Sequence, residues 1–136
     1  MRTLFGDTSW LVAISAQRDQ HHAPAMALSA KLGRYRLVTT EFVMAEFLNT
    51  FAAMHGTWSR MSAVSYLRQL QAHPDVMIVP ATSDLFWAGV ALYEARSDKP
   101  WSLVDCTSFV LMEQQDIAEA LTFDRDFAQA GFTILP

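Results

Sequence analysis

Hydrophobic and polar residues alternate along this chain in two patterns, one typical of strands and one typical of helices. Residues 76–79 are four apolar residues in a row between two prolines, as expected for a strand buried in a parallel sheet. Residues 59–72 follow the helical pattern, with apolar side chains at Met61, Val64, Leu67 and Leu70. That spacing places the four side chains along one face of a helix. The pattern therefore predicts a chain that combines strands with amphipathic helices.

Strand patterns and helix patterns alternate along the whole chain. Strands are predicted at residues 3–5, 35–39, 76–79, 120–122 and 133–135. Helices are predicted at residues 8–16, 23–32, 42–55, 59–72, 84–95, 102–114 and 125–130. Gly33, Gly56 and Gly131 stand where three of these helices should end. Strands separated by helices predict an α/β fold, with one domain over residues 1–136 and a central, mostly parallel, five-stranded sheet flanked by helices.

The composition fits a protein that folds without disulfide bonds. Of its 136 residues 51% are hydrophobic, enough to bury a sizeable core. Cys106 is the only cysteine, so no internal disulfide can form, and a lone cysteine fits the reducing cytoplasm. Asp7 lies too near the amino terminus for a typical signal peptide, and no apolar run approaches the ~18 residues of a membrane helix. We therefore expect a cytoplasmic protein without a membrane segment.

The net charge of −4 limits the ways in which the chain could bind nucleic acid. Ten Lys and Arg residues stand against fourteen Asp and Glu residues. A protein that held nucleic acid by charge alone would be basic. If this chain acts on RNA, a divalent cation must neutralise its acidic groups locally.

Four acidic residues can reach the same end of the predicted sheet. Asp7 and Asp124 each follow a strand, Glu46 lies in the helix after the second strand, and Asp105 opens the helix that leads to the fourth. In open α/β sheets, ligands bind in the crevice outside the carboxyl ends of the strands. Carboxylates gathered there repel one another unless a hard cation lies among them, and Mg²⁺ accepts a few carboxylates while keeping several waters.

Each of these acids also has an ordinary structural explanation. Asp7 and Asp124 stand where a helix begins and could act as N-caps. Ser102 with Asp105 three residues later has the spacing of a capping box. Glu46 could simply be a solvated helix residue. Local sequence leaves both interpretations open at every one of the four positions.

Four segments of the chain, taken together, resemble the PIN-domain nucleases, and specifically the VapC-type toxins of toxin–antitoxin pairs. The segments are Gly6-Asp7-Thr8-Ser9, Thr39-Thr40-Glu41-Phe42-Val43-Met44-Ala45-Glu46-Phe47, Trp101-Ser102-Leu103-Val104-Asp105-Cys106 and Leu121-Thr122-Phe123-Asp124-Arg125-Asp126-Phe127. Ala130-Gly131-Phe132 near the end of the chain also resembles the family. The segments keep the family's order and span nearly the whole chain.

This resemblance implies a function for each matched acid. Asp7, Glu46, Asp105 and Asp124 match the family's acidic quartet, which binds Mg²⁺ or Mn²⁺, and Asp126 matches a less constant fifth acid. The implied fold is a three-layer sandwich in which the first and fourth strands are neighbours. The implied activity is metal-dependent hydrolysis of RNA phosphodiester bonds, with the quartet as catalytic and metal-binding residues.

One position departs from the family pattern. Glu41 stands where the family often has a small polar residue, so it competes with Glu46 as the acid of the second segment. The apolar residues Phe42 and Val43 between them, and the context of Ala45 and Phe47, favour Glu46.

The resemblance also implies partners. Members of the family are typically homodimers, and an antitoxin of the VapB type wraps the toxin and blocks its site. Among the scattered basic residues, Arg125, Lys99 and Arg36 are the candidates for contacts with RNA, although each could be ordinary solvated surface. His21 and His22 show no metal-binding spacing and are expected at the surface. Cys106 lacks an evident histidine partner and is expected in the core.

Two other classes of function remain as alternatives. The first is a non-catalytic PIN-fold module that binds RNA or an antitoxin, which the intact quartet disfavours. The second is a different magnesium enzyme on an α/β sheet. A phosphatase with an aspartyl nucleophile would need a second Asp where Ser9 stands, and a receiver domain would need a lysine near the last strand. The sequence matches neither.

Overall fold

A computed structural model describes residues 1–52 and 57–136, and the side chains of all these except Thr57 and Trp58. Its centre is a sheet of five strands, all parallel, in the order β3-β2-β1-β4-β5. The strands are β1 (Arg2–Gly6), β2 (Tyr35–Thr40), β3 (Val76–Val79), β4 (Glu119–Leu121) and β5 (Thr133–Leu135). The predicted α/β fold with a central parallel sheet is confirmed.

Helices flank the sheet and connect its strands. In the described ranges they are α1 (Thr8–Ser15), α2 (His22–Leu32), α3 (Glu41–Ala52), α4 (Thr57–Ala72), α5 (Ser83–Ala95), α6 (Leu103–Gln114) and α7 (Asp126–Gln129). They agree with the predicted helices to within two residues at the ends that can be compared. The predicted continuation of α3 to residue 55 and its stop at Gly56 lie outside the described residues.

The strand order creates a switch point beside β1. From β1 the chain builds outward through β2 to β3, then returns across the sheet to add β4 and β5 on the other side of β1. Phe5 pairs with Ala120 and Gly6 with Leu121, so β1 and β4 are neighbours, as the family resemblance implied. A crevice opens at the carboxyl ends of two strands whose connections leave in opposite directions, and ligands of open α/β sheets bind there.

Large apolar side chains fix the strands around this point. Phe5 in β1 lies 6.1 Å from Phe127, and Phe109 in α6 meets Phe127 edge-on at 4.8 Å. All three rings are buried, so β1, α6 and α7 share one aromatic contact. Cys106 is fully buried beside them in α6, which confirms its predicted place in the core. Burial is also the main cause of the raised pKa of its thiol.

Helix α4 lies partly in the core and partly at the surface. Tyr66 and Leu67 pack against the core, whereas Met61 is 59% exposed. The side chain of Trp58 lies outside the described residues. No described helix is both long and apolar enough to cross a membrane.

Gly89 allows α5 and α6 to pack closely, and this contact gives a first prediction. A Cβ on Gly89 would lie 2.6 Å from Cγ2 of Thr107, whose hydroxyl is held by the carbonyl of Val104 at 2.7 Å. We expect Gly89→Ala to destabilise the fold by about 1–3 kcal/mol, because overpacking outweighs the better helix propensity of alanine. Urea unfolding measures this change.

Thr107→Ser provides the matched control for Gly89→Ala. Serine keeps the hydroxyl and removes the methyl group that the new Cβ would meet. Adding Thr107→Ser to Gly89→Ala should therefore restore part of the lost stability, as a double-mutant cycle would show. Equal losses with and without Thr107→Ser would contradict this explanation.

Candidate metal centre

The pairing of β1 with β4 brings Asp7 and Asp124 to the same edge of the sheet. Asp7 follows β1, and its backbone N–H donates to the carbonyl of Leu121 at 3.1 Å, extending the strand pairing by one residue. Asp124 lies three residues beyond Leu121, after the end of β4. The two acids are 117 positions apart in the sequence and meet only because β4 is inserted beside β1.

Asp7 occupies the N-cap position of α1, but its side chain does not cap the helix. Its backbone is extended, as in an N-cap residue, but its side chain makes no capping hydrogen bond. Its Oδ2 instead accepts hydrogen bonds from the hydroxyl of Thr122 at 2.8 Å and from that of Ser9 at 3.1 Å. The carboxylate is 3% exposed. Of the two interpretations left open, the structure therefore disfavours a simple cap.

Asp105 combines both of its predicted properties. Ser102 and Asp105 form a reciprocal capping box at the start of α6, with the N–H of Ser102 donating to Oδ2 of Asp105 at 3.2 Å. The side chain is nonetheless only 8% exposed and lines the same cleft as Asp7. The cap holds the carboxylate in one orientation and leaves Oδ1 without a hydrogen bond from the described residues.

Asp124 and Asp126 lie beside Asp105. Carboxylate oxygens of Asp105, Asp124 and Asp126 all fall within 4.8 Å of one another. Oδ1 of Asp124 accepts the N–H of Asp126 at 2.9 Å, which opens α7, and the N–H of Asp124 donates to the hydroxyl of Thr122. Asp124 thus organises the turn into α7 and keeps Oδ2 available for a ligand.

Glu46 completes the cleft from α3. The cleft has a volume of about 400 Å³, and Asp7, Glu46, Asp105 and Asp124 all line it. Glu41, the competing acid, does not: its carboxylate accepts the backbone N–H of Ala81 at 2.8 Å, on the side of β3. The structure brings together the four acids that the sequence pattern singled out and leaves Glu41 outside them.

The pKa values in the cleft reflect buried carboxylates that lack cationic partners. Burial raises the pKa of Asp7 to about 6, despite the hydrogen bonds from Thr122 and Ser9, and the charge of Glu46 adds to the rise. Burial, and after it the charges of Asp7 and Asp124, raise the pKa of Asp105 to about 7. Partial burial and the neighbouring Asp124 also raise the pKa of Asp126. Ionising these groups together is unfavourable, as expected for a site that requires a cation.

Comparison with known proteins identifies the architecture around these acids. A family model of the PIN domain matches residues 4–133. This chain belongs to the PIN-domain family. The predicted PIN domain is thereby confirmed, and the resemblance to VapC-type toxins is confirmed by the relatives that follow.

Relatives of this PIN domain agree with it over nearly their whole length. The chain is 28% identical over 129 residues to the 23S rRNA-specific endonuclease VapC20 of Mycobacterium tuberculosis, covering 95% of each chain. The crystal structure of that VapC20, described as a sarcin–ricin loop cleaving toxin, superposes with a TM-score of 0.84 at 26% identity over 96% of each chain. FitAcB from Neisseria gonorrhoeae shares the fold, with a TM-score of 0.67 at 16% identity over 98% of this chain and 96% of its own.

Two hydroxyl groups of this PIN domain connect its acids, and neither was predicted from the sequence. Thr122 is 1% exposed and joins Asp7 to the backbone of Asp124. The hydroxyl of Ser9 contacts Asp7 and also accepts the N–H of Phe123 at 2.9 Å. A polar residue at the end of an otherwise apolar strand, as in Leu121-Thr122-Phe123, was the available signal.

Part of the lining of the cleft was likewise not predicted from the sequence. Asp19, Gln20 and His21, between α1 and α2, line the cleft together with Phe123. His21, expected at the surface, is partly exposed, and its ring stacks on that of Phe123. His22 is also half-buried, and its Nδ1 lies 2.7 Å from the carbonyl of Ala13.

The three basic residues predicted to contact RNA lie in different places. Arg125 is exposed between Asp124 and Asp126, at the rim of the acidic cluster. Lys99 is close enough to Asp126 for its charge to oppose the rise in the pKa of that acid. Arg36 lies at the amino end of β2, opposite Thr3 of β1, and therefore at the other end of the sheet from the cleft. The structure brings Lys99 and Arg125 to the candidate metal centre but not Arg36.

The donor set fits a hard divalent cation. Every charged side chain that lines the cleft is acidic among the described residues, and carboxylate oxygens are the ligands that Mg²⁺ and Mn²⁺ prefer. Asp105, Asp124 and Asp126 have the spacing to hold one ion between them. The raised pKa values of Asp7 and Asp105 also fit a cation site, because a bound cation would favour their ionised forms.

Thr122 gives a second prediction, because it supports two acids without carrying charge. We expect Thr122→Val to weaken Mg²⁺ or Mn²⁺ binding by roughly 10–100-fold, the effect typical of losing a group that orients a ligand. Calorimetric titration with either cation measures the change. Thr133→Val is the matched control, because Thr133 is exposed in β5. Equal affinities in the two variants would contradict a supporting role for Thr122.

Proposed function

We propose that this protein is a Mg²⁺-dependent ribonuclease, an endonuclease that hydrolyses RNA phosphodiester bonds as the toxin of a VapBC-type pair. The observation that carries the proposal is the meeting of Asp7, Glu46, Asp105 and Asp124 in one cleft at the switch point of a PIN sheet. The likeness to VapC20, which is named as a 23S rRNA endonuclease and as a toxin, supports RNA as the substrate.

The residues divide into those that would hold the cation and those that orient them. Asp7, Asp105 and Asp124 would be ligands, Asp126 an accessory ligand, and Glu46 a ligand or the group that orients the attacking water. Thr122 and Ser9 fix the carboxylate of Asp7, and the capping box fixes that of Asp105. When bound, Mg²⁺ would neutralise charge that builds on the phosphate and lower the pKa of water, and Mn²⁺ could replace it.

The charge of the cleft explains why binding of RNA there would require a cation. Without it, the buried acids repel a phosphodiester, which carries the same sign of charge. With it, the phosphate would meet a cation in place of bare carboxylates, and Lys99 and Arg125, near the acidic cluster, would contact neighbouring phosphates. A chain with a net charge of −4 can accept RNA at such a place only with the help of a cation.

The proposed biological setting follows from the same family. We propose a VapB-like antitoxin as protein partner, a homodimer as the assembled form and the cytoplasm as the location. Size-exclusion chromatography with light scattering tests the dimer. Co-purification with the protein encoded by an adjacent short reading frame tests the antitoxin.

The activity is tested with purified protein and intact 23S rRNA in Mg²⁺, in Mn²⁺ and in EDTA. We expect internal cuts with either cation, restricted to few positions when the new ends are mapped, and none in EDTA. Cleavage that persists in EDTA would overturn the metal dependence.

The alternative function, a non-catalytic module that binds RNA or an antitoxin, gives a different result in the same experiment. It predicts binding of the RNA or the antitoxin with no new ends under any condition. The buried, hydrogen-bonded carboxylates favour the enzyme, because a module that only binds has no need to bury them at the expense of stability.

A further inference from the structure

The cleft has an aromatic wall that faces the acids. The rings of His21 and Phe123 are 4.3 Å apart between centroids and within 5° of parallel. Both side chains line the cleft beside Asp124, and both are only partly buried. A flat, accessible ring pair therefore stands next to the place where the phosphate would be cut.

Hydrogen bonds anchor the backbone at both rings, and a third ring packs against Phe123. The backbone N–H of His21 donates to Oδ2 of Asp19 at 3.0 Å, and the backbone N–H of Phe123 donates to the hydroxyl of Ser9 at 2.9 Å. The ring of Phe123 also lies 6.2 Å from that of the buried Trp10, at 18° to it. Ser9 contacts Asp7 as well, so the aromatic wall and the metal centre share one hydrogen-bond network.

The charge of the cleft indicates what this wall is for. Among the described residues that line the cleft there is no lysine or arginine. Beyond the cation, nucleotide binding inside the cleft must therefore come from contacts that do not depend on opposite charge. Stacking of a base on an aromatic ring is such a contact, and every base has a face that can make it.

We propose that His21 and Phe123 form a stacking platform for the base of an unpaired nucleotide next to the scissile phosphate. This inference rests on the proposed ribonuclease activity and assigns a base-binding residue to its site. A base inside an A-form duplex is stacked on its neighbours and cannot reach the platform, whereas a base in a loop or bulge can be splayed out onto it. His21 is therefore the residue that binds the base next to the cut.

The test compares variants of His21 in steady-state cleavage of a short hairpin RNA that contains the mapped cut site. His21→Ala should raise KM by roughly 5–100-fold, which corresponds to the loss of one stacked base, with a smaller effect on kcat. His21→Phe keeps a flat ring and should stay within a few-fold of the parent. A loss of activity in His21→Ala that appears only in kcat would overturn the platform.

An abasic substitution in the RNA makes the test specific to stacking. Each nucleotide flanking the cut is replaced in turn by an abasic one, and cleavage is measured with the parent protein and with His21→Ala. At one position the abasic RNA should weaken cleavage by the parent but cause no further loss in His21→Ala, because the two changes remove the same contact. Independent, additive losses at every position would overturn the proposal.

The neighbouring histidine supplies the control. His22→Ala removes an imidazole that contacts the carbonyl of Ala13 and does not line the cleft. It should leave KM and the abasic effect at parental values. If the parent cuts no RNA with Mg²⁺, the proposed function itself fails, whereas cleavage with no response to His21→Ala overturns only the platform.

Discussion

Asp7→Asn and Asp105→Asn are each expected to reduce cleavage of RNA by more than about 100-fold at saturating Mg²⁺. The expected loss exceeds the 10–100-fold that follows removal of a group in the outer shell of a metal site, because each substitution removes a charged ligand itself. Asparagine retains the size of the side chain and a carbonyl oxygen. The hydrogen bonds from Thr122 to Asp7 and from Ser102 to Asp105 can therefore persist.

The measurement is initial-rate cleavage of 23S rRNA with mapped ends, together with circular dichroism to verify the fold. Glu113→Gln is the matched control, since Glu113 is an exposed acid on the same helix as Asp105 and should retain full activity. Undiminished cleavage in both aspartate variants would remove these residues from the proposed metal centre.

Asp105→Asn should at the same time stabilise the metal-free protein at pH 8, by on the order of a few kcal/mol, because each unit of pKa shift corresponds to ~1.4 kcal/mol. The pKa of Asp105 is about 7 in the folded protein, against an ordinary value of 3.8. A raised pKa means that the folded state holds the proton more tightly than the unfolded state. The contribution of Asp105 to the stability of the folded state is full below about pH 4 and is lost as pH rises through 7.

Asp7 has a raised pKa of about 6, so it also makes the folded protein less stable as pH rises. Urea unfolding in EDTA should therefore show the parent protein to be more stable at pH 5 than at pH 8. Asp105→Asn should show a smaller difference between the two pH values, and Glu113→Gln should follow the parent. Mg²⁺ at pH 8 should raise the stability of the parent more than that of Asp105→Asn, because binding to the folded state adds stability. A parent protein that is equally stable at both pH values would contradict the raised pKa values.

Together the two predictions describe a site that sacrifices stability for function. The same substitution is expected to abolish activity and to strengthen the metal-free fold. Such opposite effects are characteristic of functional groups that the fold must hold in an unfavourable state. A purely structural capping box at Ser102 and Asp105 would lose stability, or keep it unchanged, when Asp105 is replaced.

The sequence by itself determined the elements of the fold and most of the candidate acids. The strands and helices follow from apolar periodicity, which is a local property, and their alternation implies a parallel sheet. Asp7 and Asp124 could be selected because they directly follow strands, whose carboxyl ends must share one edge of such a sheet. The family resemblance, carried by four segments in order, supplied the neighbouring positions of β1 and β4 and the choice of Asp105 and Glu46.

Only the tertiary structure decided which side chains share the cleft, because that depends on contacts between distant parts of the chain. Glu41 and Glu46 lie on one helix, and its packing directs Glu46 to the cleft and Glu41 to Ala81. Arg36 is close in sequence to the second acidic segment, yet the direction of β2 places it at the opposite end of the sheet.

The hydroxyl of Thr122 reaches Asp7 across 115 positions, and the ring of His21 reaches that of Phe123 across 102. No local pattern encodes such pairs, since they arise when β4 inserts beside β1 and carries Thr122, Phe123 and Asp124 to the cleft. The sequence thus determined which residues could form a metal centre, and strand insertion determined the hydroxyl groups and the aromatic wall that surround it.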